Sequence, residues 1–474
     1  MKGNFDNTAR DAACAQVAHV RTAYQGESIL ADGRTLGTDT WATGRNNNML
    51  VLGPSGAGKT RHVLVPNLLQ MGASFVVLDT KGTLHAEVGP VLAAHGYRVQ
   101  NLNFANLSQG GTGAGTAGIG DAAGYNPLSH LRRSATERVP LTGNARPNQQ
   151  DVLSVANALC PIEDTNQPFW DRAAANYLAC LIAYVLEQLP TEEQTLASVI
   201  RLVECMGDNK TWKLLDDLEE LDPGSYALAL YRRAEATKDA DRMHASILGI
   251  LAEKLMCLGF DSATALYRNP NQVDFALLGH EPIALFVTVS DVDHSLTPLT
   301  NLFIIQAFQA LTREADACEG GRLPHPVRLF LDDFSNLRIP DFTDLIAVVR
   351  SREIWCTLLA QTVSQLEERY GAAGAATIVG NCDVQLVLAF QDAQTARAYQ
   401  VRANRSPAAL MATPLDRSWL FVRGRPAEEV RRYDVTTHPF YQEMTEAQRT
   451  GSPFGFDVFE VPGNPSWDEN DIAF

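Results

Sequence analysis

The stretch NNNMLVLGPSGAGKTRHVLVPNLLQ, from Asn46 to Gln70, contains the most specific pattern of the chain. A short apolar run leads into a glycine-rich turn, and an apolar periodic stretch follows it. The turn has two glycines separated by four residues, then lysine and threonine; its residues are Gly53, Pro54, Ser55, Gly56, Ala57, Gly58, Lys59 and Thr60. This strand, loop and helix pattern is typical of a phosphate-binding loop, whose backbone N–H groups surround nucleotide phosphates. The sequence therefore predicts a site for a nucleoside triphosphate rather than a simple turn.

Length and composition limit the classes of protein to which the chain can belong. It has 474 residues, of which 45% are hydrophobic and 20% charged, and this suits two or three domains of an ordinary globular protein. The net charge of −16 argues against a nucleic-acid binder that works by overall positive charge, but not against a local basic channel. The 8 cysteines show neither metal-ligand nor disulfide spacing. The longest apolar stretch, YLACLIAYVL, is well short of the roughly 20 residues that a membrane span needs.

Strand-like and helix-like stretches alternate in two parts of the chain, which predicts an α/β fold with a parallel-rich central sheet. Between these parts, stretches such as RAAANYLACLIAYVLEQL have apolar residues with a helical period. The predicted divisions are an N-terminal polar segment (1–44), the first part of a nucleotide-binding domain (45–150), an all-helical inserted domain (151–271), the second part of the nucleotide-binding domain (272–445) and an acidic C-terminal tail (446–474).

Two adjacent carboxylates end the apolar run VRLFLDD and are the candidate catalytic acids. A phosphate-loop NTPase needs one acid near Mg²⁺ and a second group that orients the attacking water. Asp332 suits the first role, and the Thr60 hydroxyl is a further Mg²⁺ ligand. Asp333 suits the second role. Taken alone, such a pair is more often a solvated strand end. The phosphate loop upstream favours the catalytic interpretation.

Further blocks follow the phosphate loop in an order shared with one family; they include VVLDTKG (76–82), GYNPL (124–128), QPFWDRAAANYL (167–178), LFLDDFSNLRIPDF (329–342) and IVGNCDVQLVLAF (378–390). With them the chain resembles the coupling-protein ATPases of conjugation and type IV secretion, in particular the TraG-like branch. The resemblance implies a RecA-like P-loop NTPase core with an all-helical insertion. It also implies a homo-hexameric ring that binds ATP and Mg²⁺ at its subunit interfaces. Such a ring moves single-stranded DNA, or a relaxase–DNA complex, toward a secretion channel.

The resemblance also implies roles for single residues. Lys59 matches the phosphate ligand, Thr60 and Asp332 match the Mg²⁺ site, and Asp333 stands at the position of the second acid. Gln361 matches the family's glutamine at the end of the next strand, which is implied to sense the γ-phosphate. Arg350, in AVVRSRE, matches an arginine that reaches the triphosphate of a neighbouring subunit; the alternative is an arginine on a solvated helix face.

The chain departs from the family pattern in three places. The family usually has Glu where this chain has Asp333, and Asp is shorter by about one C–C bond, roughly 1.5 Å. Because a misplacement of about 1 Å can cost on the order of 100-fold in rate, we expect weak turnover. A second family acid is replaced by Thr83. Most members begin with transmembrane helices, and this sequence has none. If Met1 is the natural start, we expect a cytoplasmic chain without direct membrane insertion, which a channel or membrane-anchor protein recruits to the inner face of the cell membrane. The alternative is that a transmembrane segment preceding Met1 was removed.

Two classes of function stay open at this stage. The first is an ATP-driven pump for DNA or a nucleoprotein, which Gln361 and Arg350 favour. The second is a nucleotide-dependent recruitment module with little or no ATPase turnover, which Asp333 favours. A small-molecule kinase is a weaker third interpretation, because the blocks after Asp332 have no role in it.

Overall fold

A sheet of ten strands forms the centre of the chain in the computed structural model, which describes residues 26–105, 121–163, 166–207, 210–238, 241–290, 292–293 and 295–451. The strands of the described residues are β1 (Glu27–Ala31), β2 (Arg34–Gly37), β3 (Met49–Leu52), β4 (Ser74–Asp79), β5 (Arg98–Asn103), β6 (Asp121–Ala122), β7 (Arg133–Arg138), β8 (Ala145–Pro147), β9 (Ile283–Thr288), β10 (Val327–Leu331), β11 (Ile354–Ala360), β12 (Val384–Val387), β13 (Arg417–Val422) and β14 (Glu428–Arg431). The large sheet has the order β14-β13-β12-β3-β11-β10-β4-β9-β5-β6.

The strand directions confirm the predicted α/β fold. All neighbours from β12 to β6 are parallel, and β13 and β14 add an antiparallel edge. Strands β4, β9, β10 and β11 are buried at every residue, as expected for parallel strands covered on both faces. Strand β11 lies between β3 and β10, so the carboxyl ends of these three strands lie side by side.

The helices cover both faces of the sheet and form the insertion. They are α1 (Thr40–Thr43), α2 (Val65–Leu69), α3 (Leu84–Ala94), α4 (Gln149–Leu159), α5 (Pro168–Gln188), α6 (Leu196–Glu204), α7 (Lys210–Asp216), α8 (Leu218–Leu221), α9 (Tyr226–Lys238), α10 (Asp241–Leu255), α11 (Asp261–Arg268), α12 (Thr297–Ala317), α13 (Phe342–Val348), α14 (Val363–Gly380), α15 (Ala393–Ala403), α16 (Pro407–Met411) and α17 (Tyr441–Gly451). Between β8 and β9 the described elements are all helical, as the predicted insertion requires. Its central helix, α5, packs against α4, α9 and α10.

Two hairpins were not expected from the sequence. The first, β1–β2, lies in the segment predicted as polar, where Ile29, Leu30 and Leu36 are buried. The Asn67 side chain holds it, because Asn67 accepts a hydrogen bond from the Ile29 N–H (3.0 Å) and donates one to the Ile29 carbonyl (2.8 Å). The second hairpin, β7–β8, precedes the insertion. The sequence also predicts a flexible loop in the glycine-rich stretch SQGGTGAGTAGIGDAAG (108–124), and most of this stretch, like most of the acidic tail (446–474), lies outside the described residues.

None of the helices in the described part of the chain is by itself long and apolar enough to cross a bilayer. The stretches Arg242–Gly259 and Asp261–Arg268 have sufficient length and apolarity only when taken together, and they are bent by 67°. Ile247, Leu251 and Tyr267 of these stretches are buried against the rest of the chain.

Candidate functional site

The phosphate loop joins β3 to a helical segment. Gly56 and Gly58 have φ angles of 76° and 80°, in the left-handed region that glycine adopts without strain. The Gly53 N–H donates to the Ala360 carbonyl at 3.2 Å, which fastens the start of the loop to the end of β11. After Lys59 the chain enters a π-helical turn, Thr60–Leu64, that continues into α2. The sequence pattern thus produces a loop whose shape depends on glycine at two positions.

Lys59 is buried inside this loop, with 8% of its surface exposed. Its ammonium donates to the Gly53 carbonyl at 2.8 Å and to the Pro54 carbonyl at 3.4 Å. Burial lowers the pKa of Lys59, while the Asp333 and Asp332 carboxylates oppose that shift. A buried cation held by neutral carbonyls can form a stronger, charge-assisted hydrogen bond when an anion replaces them.

The two acids follow β10 and differ in their surroundings. Burial raises the pKa of Asp332 to about 6, the Asp333 carboxylate adds to the shift, and Lys59 opposes it. The Asp332 carboxylate also accepts a hydrogen bond from the Asp333 N–H at 3.0 Å. Asp333 has a left-handed φ of 45°, a conformation that Asp adopts more readily than Glu. The Thr80 hydroxyl, which follows β4, lies 3.5 Å from the Asp333 carboxylate.

A small cavity opens beside both carboxylates. Its walls follow the carboxyl ends of β4, β5, β9 and β10, and its polar lining includes Thr80, Ser290, Asp293 and Ser295. The strand order places β4, β9 and β5 on the side of β10 that faces away from β3. The cavity is therefore a neighbour of the phosphate loop and not the cleft of the loop itself.

The structure brings most of the predicted site residues to one edge of the sheet. Gln361 follows β11, directly after the Ala360 carbonyl that binds Gly53, and its side-chain oxygen accepts from Gln365 at 3.4 Å. Arg350 lies elsewhere. It precedes β11, at the amino-terminal ends of the parallel strands. Its guanidinium is exposed and donates to the Gly44 carbonyl at 3.0 Å. Arg350 is therefore separated from the phosphate loop of its own chain.

Arg432 contacts the phosphate loop although no sequence pattern predicts it as a site residue. Its half-buried guanidinium donates to the Ala57 carbonyl in the phosphate loop at 2.9 Å. It also donates to the Leu388 carbonyl after β12 at 2.6 Å and to the Arg417 carbonyl at 3.2 Å. Burial lowers the pKa of Arg432. No local pattern indicates this contact, because Arg432 and Ala57 are 375 positions apart.

A parallel sheet with a phosphate loop after β3, an interposed β11 and paired acids after β10 defines a RecA-like P-loop NTPase fold. The family model described as "Type IV secretory system Conjugative DNA transfer" matches residues 9–400. The chain belongs to this family, which confirms the resemblance drawn from its sequence blocks.

Individual relatives agree with this assignment. The chain is 25% identical to a conjugal transfer protein TraG of Escherichia coli over 359 residues, 71% of this chain and 52% of that protein. It is 24% identical to the protein VirD4 of Agrobacterium fabrum over 366 residues, 74% of this chain and 48% of that protein. The chain thus spans about half the length of the curated relatives that it matches.

The fold is also similar to that of a solved coupling protein. The plasmid coupling protein TrwB, in complex with ADP and Mg²⁺, superposes with a TM-score of 0.58. The match covers 87% of this chain and 91% of that chain, at 15% sequence identity. At this identity the similarity establishes the fold.

Proposed function

We propose that this chain is the motor part of a coupling protein, which binds ATP with Mg²⁺ and hydrolyses it to move single-stranded DNA or a relaxase–DNA complex toward a secretion channel. The observation that carries the proposal is the meeting of Lys59, Asp332 and Gln361 at the carboxyl ends of three adjacent strands. Family membership and the nucleotide bound to TrwB support it.

Each residue has a role that its position supports. Lys59 exchanges its bonds to loop carbonyls for bonds to the β- and γ-phosphates. The Thr60 hydroxyl and the Asp332 carboxylate are hard oxygen donors of the kind that Mg²⁺ prefers. Mg²⁺, when bound, neutralises charge that develops on the transferred phosphoryl group. Asp333 orients the attacking water, and Gln361 contacts the γ-phosphate.

The proposed assembly is a homo-hexameric ring. Arg350 is exposed at the amino-terminal ends of the parallel strands, away from its own phosphate loop, so a bound nucleotide that it contacts belongs to a neighbouring subunit. Arg350→Ala should then lower turnover and DNA-dependent assembly together, while the monomer binds ATP as before. Sedimentation with ATP and single-stranded DNA tests this, with Arg352→Ala as the control because Arg352 pairs with Asp316 of its own chain. Assembly and turnover at wild-type levels in Arg350→Ala would contradict the proposed contact of Arg350 with the nucleotide of a neighbouring subunit.

A second candidate function is a recruitment module that binds nucleotide and substrate proteins with little turnover, held at the membrane by a partner protein. The specific observation in its favour is Asp333, which is shorter than the usual Glu and has a left-handed backbone. A longer side chain at this position would reach further toward the water but would fit this backbone less well.

The deciding experiment is the ATPase rate of the full chain with and without single-stranded DNA. Asp333→Asn removes the charge and keeps both the side-chain length and the tolerance for a left-handed φ. We expect DNA to stimulate the wild type, and Asp333→Asn to lower turnover by about 100-fold at unchanged nucleotide affinity. Asp333→Glu should equal or exceed the wild type. Slow turnover that neither DNA nor Asp333→Asn alters would favour the recruitment module.

A further inference from the structure

Three side chains with metal-binding atoms meet near the amino-terminal end of β9, whereas the phosphate loop lies at the carboxyl ends of the parallel strands. His280 stands just before β9, whereas Glu314 and Cys318 belong to the last turn of α12 and its C-terminal cap. The helix presents Glu314 and Cys318 on one face because they are four positions apart. The possible ligand atoms of the three residues all lie within 4.8 Å of one another.

The distances are near those of a metal site. His280 Nε2 lies 2.7 Å from Glu314 Oε1, and Cys318 Sγ lies 4.0 Å from the same oxygen. In a tetrahedral Zn²⁺ site with bonds of about 2.0–2.3 Å, neighbouring ligand atoms are roughly 3.3–3.8 Å apart. The two observed distances lie on either side of that range, so small side-chain rotations would satisfy it. All three residues are half-buried, so we expect water to supply the fourth ligand.

The chemistry of the three ligands selects the metal. One imidazole, one thiolate and one carboxylate form a mixed N, S and O set that suits Zn²⁺, whereas Mg²⁺ and Ca²⁺ prefer oxygen ligands alone. The C-terminal end of α12, a helix of 21 residues, adds a partial negative charge that favours a cation. We propose that His280, Glu314 and Cys318 form a Zn²⁺ site, distinct from the nucleotide-associated Mg²⁺, in which the thiol proton is released to solvent on binding.

The position of the cluster indicates what the metal would stabilise. It joins the turn before β9 to the end of α12, through residues 34 positions apart. Asp316, on the same last turn, holds Arg352 through contacts of 2.8 and 3.2 Å. A metal that binds only the folded state raises the unfolding temperature, so Zn²⁺ should stabilise this helix end and the chain with it.

The test is a metal titration of the full chain, free of affinity tags and of nucleotide, after treatment with a chelator and in excess Mg²⁺. We expect one Zn²⁺ per chain, a raised unfolding temperature, and a thiolate-to-metal charge-transfer band when Co²⁺ replaces Zn²⁺. Cys318→Ser should remove the band and weaken Zn²⁺ binding at least about tenfold. His280→Gln should weaken binding similarly and carries the test if the serine variant does not fold.

Matched controls are Cys257→Ser, which changes another half-buried cysteine, and Glu319→Gln, which changes an acid next to the cluster. Both controls should bind Zn²⁺ like the wild type. Absence of the Co²⁺ band, or equal Zn²⁺ binding by Cys318→Ser and the wild type, would reduce His280 and Glu314 to a hydrogen-bonded pair and overturn the proposal. These readouts do not depend on ATPase activity, so they stand apart from the test of the proposed function.

Discussion

The helical insertion and the nucleotide edge, by which we mean the carboxyl ends of β3, β11 and β10, both bury charged side chains. The two regions differ in the groups that contact these charges. In the insertion, the Glu187 side chain is 0% exposed and accepts hydrogen bonds from Arg146 at 3.0 Å and from the Ser225 hydroxyl at 2.5 Å. The backbone N–H of Tyr226 adds a third bond at 3.0 Å. At the nucleotide edge, the Lys59 ammonium is bound to neutral carbonyls of its own loop.

The comparison distinguishes charges that are paired within the fold from charges that are available to bind a ligand. Arg146, in strand β8 just before the insertion, also contacts the Asp222 carboxylate at 2.6 Å, so these buried carboxylates have a cationic partner within the fold. Asp332, by contrast, has its pKa raised to about 6 by burial, which means that its ionised form is destabilised before a cation arrives. A ligand of opposite charge relieves that destabilisation, whereas the Glu187 and Asp222 carboxylates already contact a cation of their own chain.

Removal of one partner from the insertion network should give the largest effect. Arg146→Ala leaves the Glu187 and Asp222 carboxylates buried without their guanidinium, and breaking such a pair costs about 3–5 kcal/mol. Chemical denaturation should show this loss in the free energy of unfolding. Arg232→Ala is the matched control, because its pair with Glu219 is exposed and should contribute less than about 1 kcal/mol. An equal loss in the free energy of unfolding of the two variants would contradict the prediction that the buried network stabilises the fold more than the exposed pair.

Lys59→Ala should have the opposite profile. It removes a phosphate ligand and should lower ATP turnover by about 100-fold or more, in the range found when a transition-state hydrogen-bond donor is removed. The unfolding temperature should stay level or rise, because within the described part of the chain the buried ammonium contacts neutral carbonyls and no carboxylate. Steady-state ATPase assays and thermal unfolding on one preparation check both parts. Wild-type turnover in this variant would exclude the loop as the site.

The raised pKa of Asp332 predicts a pH dependence of Mg²⁺-nucleotide binding. Below about pH 6 the carboxyl is protonated, so affinity should fall by up to about tenfold per pH unit. Nucleotide titrations between about pH 5 and pH 8 measure this. Asp332→Asn should retain only the dependence that comes from the phosphate's own ionisation. An identical pH profile in both proteins would contradict the role of Asp332.

The same shift sets the sign of the effect on stability without nucleotide. The folded-state pKa of about 6 lies above the ordinary value of 3.8, so the native state keeps a proton that the unfolded chain has lost between these values. The contribution of Asp332 to the free energy of unfolding is therefore full below pH 3.8 and declines as the pH rises through 6.

Arg432→Ala should give the smallest effect. The loop carbonyl of Ala57 loses a donor, and a net hydrogen bond is worth about 1 kcal/mol, so nucleotide affinity should fall about fivefold. Binding of a fluorescent nucleotide measures the change. Arg431→Ala, an exposed neighbour, serves as the control and should leave affinity unaltered. A similar loss in both variants would assign the effect to charge rather than to loop support.

Much of the fold was predictable because its signals are local. The apolar runs that became β3, β4, β9, β10 and β11 are buried on both faces, and such strands are recognisable by composition alone. The hairpin β1–β2 was not predictable, because it depends on hydrogen bonds from Asn67, 38 positions away. The left-handed backbone of Asp333 was equally invisible in the sequence, which shows only a shorter acid.

The chemical groups of the nucleotide edge are readable from local sequence patterns: the glycine loop, Lys59, and the acids that end β10. Each of these depends on residues adjacent in the chain, and parallel strands bring their carboxyl ends to one edge whatever else the fold does. Which distant groups meet depends on the tertiary structure. It supported the loop from Arg432, put Arg350 at the amino-terminal ends of the parallel strands, and brought His280 to the end of α12. Contacts over such sequence separations follow from packing and strand order, which no local pattern encodes.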